Sequence, residues 1–128
     1  MSAARLAAVL TWVYAAGFGL PAIPVGIYLL QRGRLPNFLG LFPMYGGPWA
    51  SRFGDSTFFV LLTAFFLVTV VVAWAAWLIW NGSRTGAVLG LVLLIVEAVF
   101  WLGFALPIPW VFGIARVVLL TIAWSSFD

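Results

Sequence analysis

The chain has 128 residues, 66% of them hydrophobic and only 7% charged, whereas a soluble domain carries about 25% charged residues; its natural solvent is lipid. A membrane span needs about 20 apolar residues, so this length accommodates four crossings in a single domain and little else. Arginines but no lysine set against Asp55, Glu97 and Asp128 give a net charge of +3, and because they are scattered singly they form no basic patch for a nucleic acid.

Neither cysteine nor histidine occurs. Their lack excludes disulfides, thiol redox chemistry, His or Cys haem ligation and ordinary zinc sites. It also removes the commonest general base, so no metal and no cofactor is expected. The first residues pair Arg5 with an apolar stretch, as a signal peptide does. No small-residue cleavage site follows, and the apolar run continues past Pro21; a retained first span is the better reading.

Span one is expected over about residues 6–30. As a straight helix it would be about 37 Å long, more than the ~30 Å hydrocarbon core requires. Pro21 and Pro24 interrupt it, and each removes a backbone donor and crowds the preceding turn. A kinked or broken helix around 17–24 follows. Gln31-Arg32-Gly33-Arg34 ends it, with Gly33 as C-cap. Tyr14 and Tyr28 are candidate hydrogen-bond donors into the bundle from this span or else interface anchors, the anchor being the better reading for Tyr28.

The connection over residues 31–56 is the least ordinary stretch. It mixes Pro36, Pro43 and Pro48 with Gly40, Gly46 and Gly47, and with Phe38, Phe42, Tyr45 and Trp49. A water-exposed loop seldom carries so many aromatics, and a spanning helix would not hold so many prolines and glycines. An interfacial or shallow re-entrant segment covering one mouth of the bundle fits both facts, beside the plainer reading of an aromatic-anchored surface loop.

Asp55 or Ser56 is placed to N-cap span two, about residues 57–80. Trp80 is expected at headgroup level, while Trp74 and Trp77 lie deeper and read as core packing ahead of cavity lining. Asn81-Gly82 stops the helix. Span three, about residues 87–106, follows a tight turn, and Gly86 and Gly90 have the spacing of a small-residue helix contact. Pro107-Ile108-Pro109 makes a short hairpin to span four, about residues 110–124, so spans three and four are antiparallel neighbours. A proline in the first turn of a helix loses no needed N–H.

Glu97 is the outstanding residue, a carboxylate inside an otherwise apolar run, and the next run carries Arg116. One charge in hydrocarbon costs on the order of 3 kcal/mol on insertion scales. Counted from the hairpin, Glu97 lies ~16 Å deep and Arg116 ~12 Å deep, a mismatch an arginine stem bridges. A bidentate pair across facing helices is therefore expected. Trp101, Phe104, Phe112 and Tyr14 are the expected pocket-lining residues around it, with Tyr45 and Trp49 as a loop lid. Two uses fit this seam: a structural lock, and a site for a lipophilic ligand.

The four-span plan resembles small families such as the DoxX-like proteins and the sterol-isomerase-type bundles, without a diagnostic motif that would carry over their residues. Small multidrug-resistance transporters are similar in length and helix count. Their essential acid lies in the first span, where this chain has none, and this departure argues against a drug–proton antiporter.

The predicted fold is thus an all-α, integral membrane four-helix transmembrane bundle with a kinked first helix and an interfacial aromatic loop between helices 1 and 2. Its expected partners are the lipid bilayer and either a lipophilic small molecule or a partner helix, from a homo-oligomer or another membrane protein; no nucleic acid is expected. The first function is a binding or accessory protein at the Glu97/Arg116/Trp101 seam. A small oligomeric transporter or channel is the alternative, and a membrane enzyme ranks last, since a lone acid and an arginine make no catalytic constellation. Arginine counts on the two sides nearly balance: the charge-free 107–109 hairpin argues that its side faces outward, and the Arg32/Arg34 pair argues the opposite. The expectation is a multi-pass plasma-membrane protein with both termini in the cytoplasm, a balance that also permits dual insertion.

Overall fold

A computed structural model of the chain describes residues 2–33, 37–38, 42–43, 45–104 and 108–127. Arg34, Pro36, Gly40, Leu106 and Pro107, and the side chains of Phe38, Phe42 and Pro43, lie outside the described residues. So does the turn joining the last two spans.

Helix α1, Ala3–Tyr14, starts at Ser2, whose hydroxyl accepts from the Arg5 amide at 3.2 Å. A π turn over Ala15–Gly19 follows, and the chain resumes as α2, Ala22–Arg32. The prolines explain the change of register. Pro21 and Pro24 offer no N–H, so the i-to-i+4 ladder cannot continue unbroken past Gly17. Gly33 closes α2 with φ +71° and an amide bond to the Leu29 carbonyl, as expected of a left-handed C-cap.

Pro48–Arg52 form a short helix, α3, before the long α4, Asp55–Trp80. Asp55 is not the cap of α4. Gly54, in extended conformation, holds that position, and Asp55 lies in the first turn, where a carboxylate complements the helix dipole. Helix α5 covers Arg84–Phe104, and α6 covers Ile108–Ala123, continued by a 3₁₀ turn at Trp124–Ser126. Both begin before the apolar runs that announce them, because Arg84, Thr85 and Pro109 fit a first helical turn. Four segments, 3–32, 55–80, 84–104 and 108–126, are long and apolar enough to cross a membrane. Beside them, Asn37 and Phe38 pair antiparallel with Pro43 and Phe42.

The helices close into a ring. α1 packs between α4 and α6, α2 lies along α4, α4 packs on α5, and α5 on α6. Inside the ring the core has two halves of different chemistry. Near the chain termini it is built on Ala4, Ala7, Ala8, Ala76, Ala87 and Leu120. There the backbones approach closely: a Cβ on Gly86 would lie 2.4 Å from that of Leu78. The other half is aromatic, with Tyr14, Tyr45, Phe58, Phe65, Trp101 and Phe104 buried together.

One expectation about packing is overturned. Trp74 and Trp77 are not core residues; they are 56% and 55% exposed on the outer surface of α4. The buried stripe of that helix runs through Phe65, Thr69, Val72, Ala76 and Ile79, and at 3.6 residues per turn both indoles fall outside it. Trp80 is half-buried, stacked 5.8 Å from Trp12 with the Arg5 guanidinium 4.6 Å above its ring.

Candidate functional site

Glu97 from α5 and Arg116 from α6 meet head-on. Arg116 Nη1 donates to Glu97 Oε2 at 2.8 Å and Nη2 donates to Oε1 at 3.0 Å, a bidentate pair. The two side chains are 0% and 1% exposed, so the pair is wholly enclosed. Nη1 also donates to the Gly90 carbonyl at 3.1 Å, two turns before Glu97 on the same helix. Arg116 Nε is buried without a partner among the described residues. Taking two charges out of water costs several kcal/mol per ion, which only good geometry and further hydrogen bonds offset; the paired bonds and the Gly90 carbonyl provide both.

Tyr14 closes the third side from α1. Its ring lies 5.7 Å from the Arg116 guanidinium carbon, within cation–π range. Its hydroxyl accepts from Trp101 Nε1 at 3.0 Å and lies within electrostatic reach of both Glu97 and Arg116. The Tyr14 and Trp101 rings meet edge to face at 5.7 Å, and Phe112 stacks 6.2 Å from Tyr14. Three helices thus converge on one polar centre walled by aromatic rings.

Trp101 separates this centre from an outer groove. The groove, of about 290 Å³, runs between α5 and α6 and is lined by Leu94, Ala98, Trp101, Trp110, Gly113, Ile114, Val117 and Val118. Neither Glu97 nor Arg116 lines it. The indole N–H of Trp101 points inward to Tyr14, and the buried ring forms the base of the groove. Gly113 makes the placement possible, since a Cβ there would lie 2.9 Å from the indole edge. Trp110 packs edge-on against Trp101 at 5.1 Å and extends the wall.

Phe104 belongs to a different assembly. It packs against Tyr45 at 5.3 Å, Trp49 at 5.2 Å, Phe58 at 5.4 Å and Phe65 at 5.7 Å. Tyr45 is buried in a left-handed conformation, φ +59°, and its hydroxyl donates to the Phe18 carbonyl in the π turn. Burial pushes that hydroxyl above its ordinary range, which keeps it a donor. Trp49 lies over Gly103, where a Cβ would come within 2.2 Å of its ring. The expected lid residues and Phe104 therefore form an aromatic plug against the π turn, α4 and α5, while Tyr14 and Trp101 stand beside the ion pair and Phe112 packs on Tyr14.

The chain matches no family model, no curated protein and no solved structure. Its chemistry has to be read from these residues. Both carboxylate oxygens face one guanidinium, and among the described residues around the pair the Tyr14 hydroxyl is the further titratable group beside them. The arrangement can fix helices and shape an apolar surface. Sequence reasoning did not single out the Gly90 carbonyl, Trp110 or the α5–α6 groove. Gly113, one turn before Arg116, was the available signal for the groove.

Proposed function

We propose that the chain is a multi-pass integral membrane protein that works by binding, holding a lipophilic molecule in the α5–α6 groove against Trp101. In this reading the first span is kinked at its π turn, the aromatic loop lies at the interface, and both termini face the cytoplasm. The Glu97–Arg116 pair is the lock that fixes α5 against α6 and so shapes the groove. The observation that carries the proposal is the position of Trp101, with its polar edge satisfied inside by Tyr14 and its buried ring, 2% exposed, at the base of an outward groove. A pocket of mainly apolar walls with few polar groups suits a lipophilic guest. A transporter or channel ranks lower because, among the described residues, the buried charges Glu97 and Arg116 are paired within a single chain and line none of the described grooves.

Val117→Trp tests this, since Val117 lines the groove and is 43% exposed, so a larger side chain there fills the groove without entering the core. Gently solubilised wild-type protein is expected to carry a lipophilic adduct in native mass spectrometry. The variant should melt at the same temperature and lose the adduct. Equal retention by both proteins would place the guest elsewhere.

A further inference from the structure

Helix α5 starts at the level where a membrane meets water. Its 21 residues, Arg84–Phe104, rise ~31 Å, close to the ~30 Å of a hydrocarbon core. With Phe104 at one face of that core, Arg84 stands among the headgroups of the other. Trp80 ends α4 four residues earlier in sequence, and Trp124 follows α6; indoles of this kind mark a membrane interface.

Arg84 is held in place there, and no described carboxylate answers its charge. Nη2 donates to the Phe127 carbonyl at 3.1 Å, and the guanidinium carbon lies 5.3 Å from the centre of the Trp124 ring. The residue is nevertheless exposed. A carbonyl occupies one donor of the guanidinium and leaves the others and the charge. The described carboxylates lie elsewhere: Glu97 bonds to Arg116, and Asp55 opens α4 at its far end. A guanidinium already fixed loses little freedom on gripping a phosphate, whose oxygens its planar fork matches.

The surface that continues from it is apolar. Arg84 and Thr85 are the polar end of an open groove of about 590 Å³ that runs along α5 over Val88, Leu89 and Val92. Val88 is 45% exposed and Val92 54%. A cation at headgroup level with an apolar track leading inward from it has the polarity of a phospholipid site. Arg5 differs: its guanidinium lies 4.6 Å over the Trp80 ring, but it lines none of the described grooves.

We infer that the α5 groove holds an anionic phospholipid, its phosphate on the Arg84 guanidinium and an acyl chain along Val88 and Val92. The inference rests on the chain spanning a membrane and is independent of the α5–α6 groove. A phosphate ion from water is the poorer occupant because it leaves the apolar track uncovered. A second copy is poorer because a two-fold contact through this face brings like residues together, here one Arg84 against another.

The test uses the full chain in mixed vesicles of phosphatidylglycerol and phosphatidylcholine, with a diazirine in the acyl chain of one lipid or the other. Labelling at Val88, Leu89 and Val92, mapped by mass spectrometry, should favour phosphatidylglycerol about five-fold, as one arginine at an anionic surface would give. Arg84→Gln should bring it down to the phosphatidylcholine level, with labelling at Val117 and Val118 unchanged as the check on folding. Arg84→Lys keeps the charge without the fork and should retain part of the preference, while Arg5→Gln should leave it whole. Val88→Trp should block both lipids here with Arg84 in place. Equal labelling in the wild type overturns the inference, as does an Arg84→Gln chain that still prefers phosphatidylglycerol. A preference lost equally in Arg5→Gln also overturns it, since the charge of the whole face would then be responsible. Asp128 follows Phe127 in sequence; a preference that appears only in Asp128→Asn would mean that the chain answers its own arginine, and the inference falls. Val92-to-Val92 cross-links between two copies would overturn it in favour of a dimer. Failure of the membrane reading is separately visible, because neither lipid would then label any of the outward apolar residues.

Discussion

The Glu97 seam and the Leu20 break put polar groups at the middle of apolar spans, and the chain treats them in opposite ways. At the seam, α1, α5 and α6 converge so that a carboxylate, a guanidinium, a phenol and an indole are enclosed together and bond to one another, with Arg116 Nε left without a partner among the described residues. At the break, Pro21 and Pro24 interrupt the helical hydrogen-bond ladder beside an apolar groove lined by Leu20, Phe66 and Val70. A polar group enclosed by its own chain serves the fold. The comparison moves the search for a guest away from the buried charged residues and toward the outer grooves.

The seam should give the largest effects. Arg116→Met leaves Glu97 buried without its partner, and Glu97→Gln leaves the arginine so; each should destabilise by about 3–5 kcal/mol, read as thermal unfolding in detergent. The double replacement Glu97→Leu with Arg116→Met removes both charges and should recover most of that loss. A charge-swapped double should recover part of it, since the Gly90 carbonyl then faces a carboxylate. If either single variant unfolds at the wild-type midpoint, the pair is not the lock and the contrast with the break collapses.

The aromatic plug should respond less. Gly103→Ala puts a Cβ where the Trp49 ring lies, and overpacking of that kind costs about 1–3 kcal/mol. Because Trp49 is half-buried and on the short helix α3, the strain should be relieved locally. Faster proteolysis at Arg52 with little change in the global midpoint is the expected result. Tyr45→Phe keeps the ring contacts and removes the bond to the Phe18 carbonyl, for about 1 kcal/mol. An unchanged midpoint would mean that water or another donor replaces that hydroxyl.

These two regions were unequally legible in the sequence. The ion pair could be anticipated because helix rise is constant: counting from the prolines at 107 and 109 placed Glu97 and Arg116 at similar depth. The Gly33 stop was legible for a similar reason, as few residues adopt a left-handed cap easily. Trp74 and Trp77 could not be oriented because α4 is apolar on every side, and a helix without an amphipathic stripe does not announce its buried face. Phe104 was assigned to the ion pair because it shares a face with Glu97, but seven residues carry it two turns away, into the reach of Tyr45 and Trp49. How the chain closes around the break was hidden for a different reason. Pro24 shows that a donor is missing, but only the three-dimensional arrangement shows that Val25 turns to Pro21 and that Leu20 faces outward.

The smallest expected stability effect is the sharpest discriminator between seam and break. Pro24→Ala gives the Leu20 carbonyl an intrahelical donor, a gain of about 1 kcal/mol. It also frees the unfolded chain at that position, a loss of about 0.4–1 kcal/mol. The two nearly cancel, so the unfolding midpoint in guest-free detergent should move little. At the seam, by contrast, removing one partner changes stability directly because nothing external takes its place. A Pro24→Ala chain with an unchanged midpoint would mean that the break costs the fold almost nothing. A large rise in midpoint would mean the reverse: the break strains the first span, and the proline is kept for the shape it imposes on the helix.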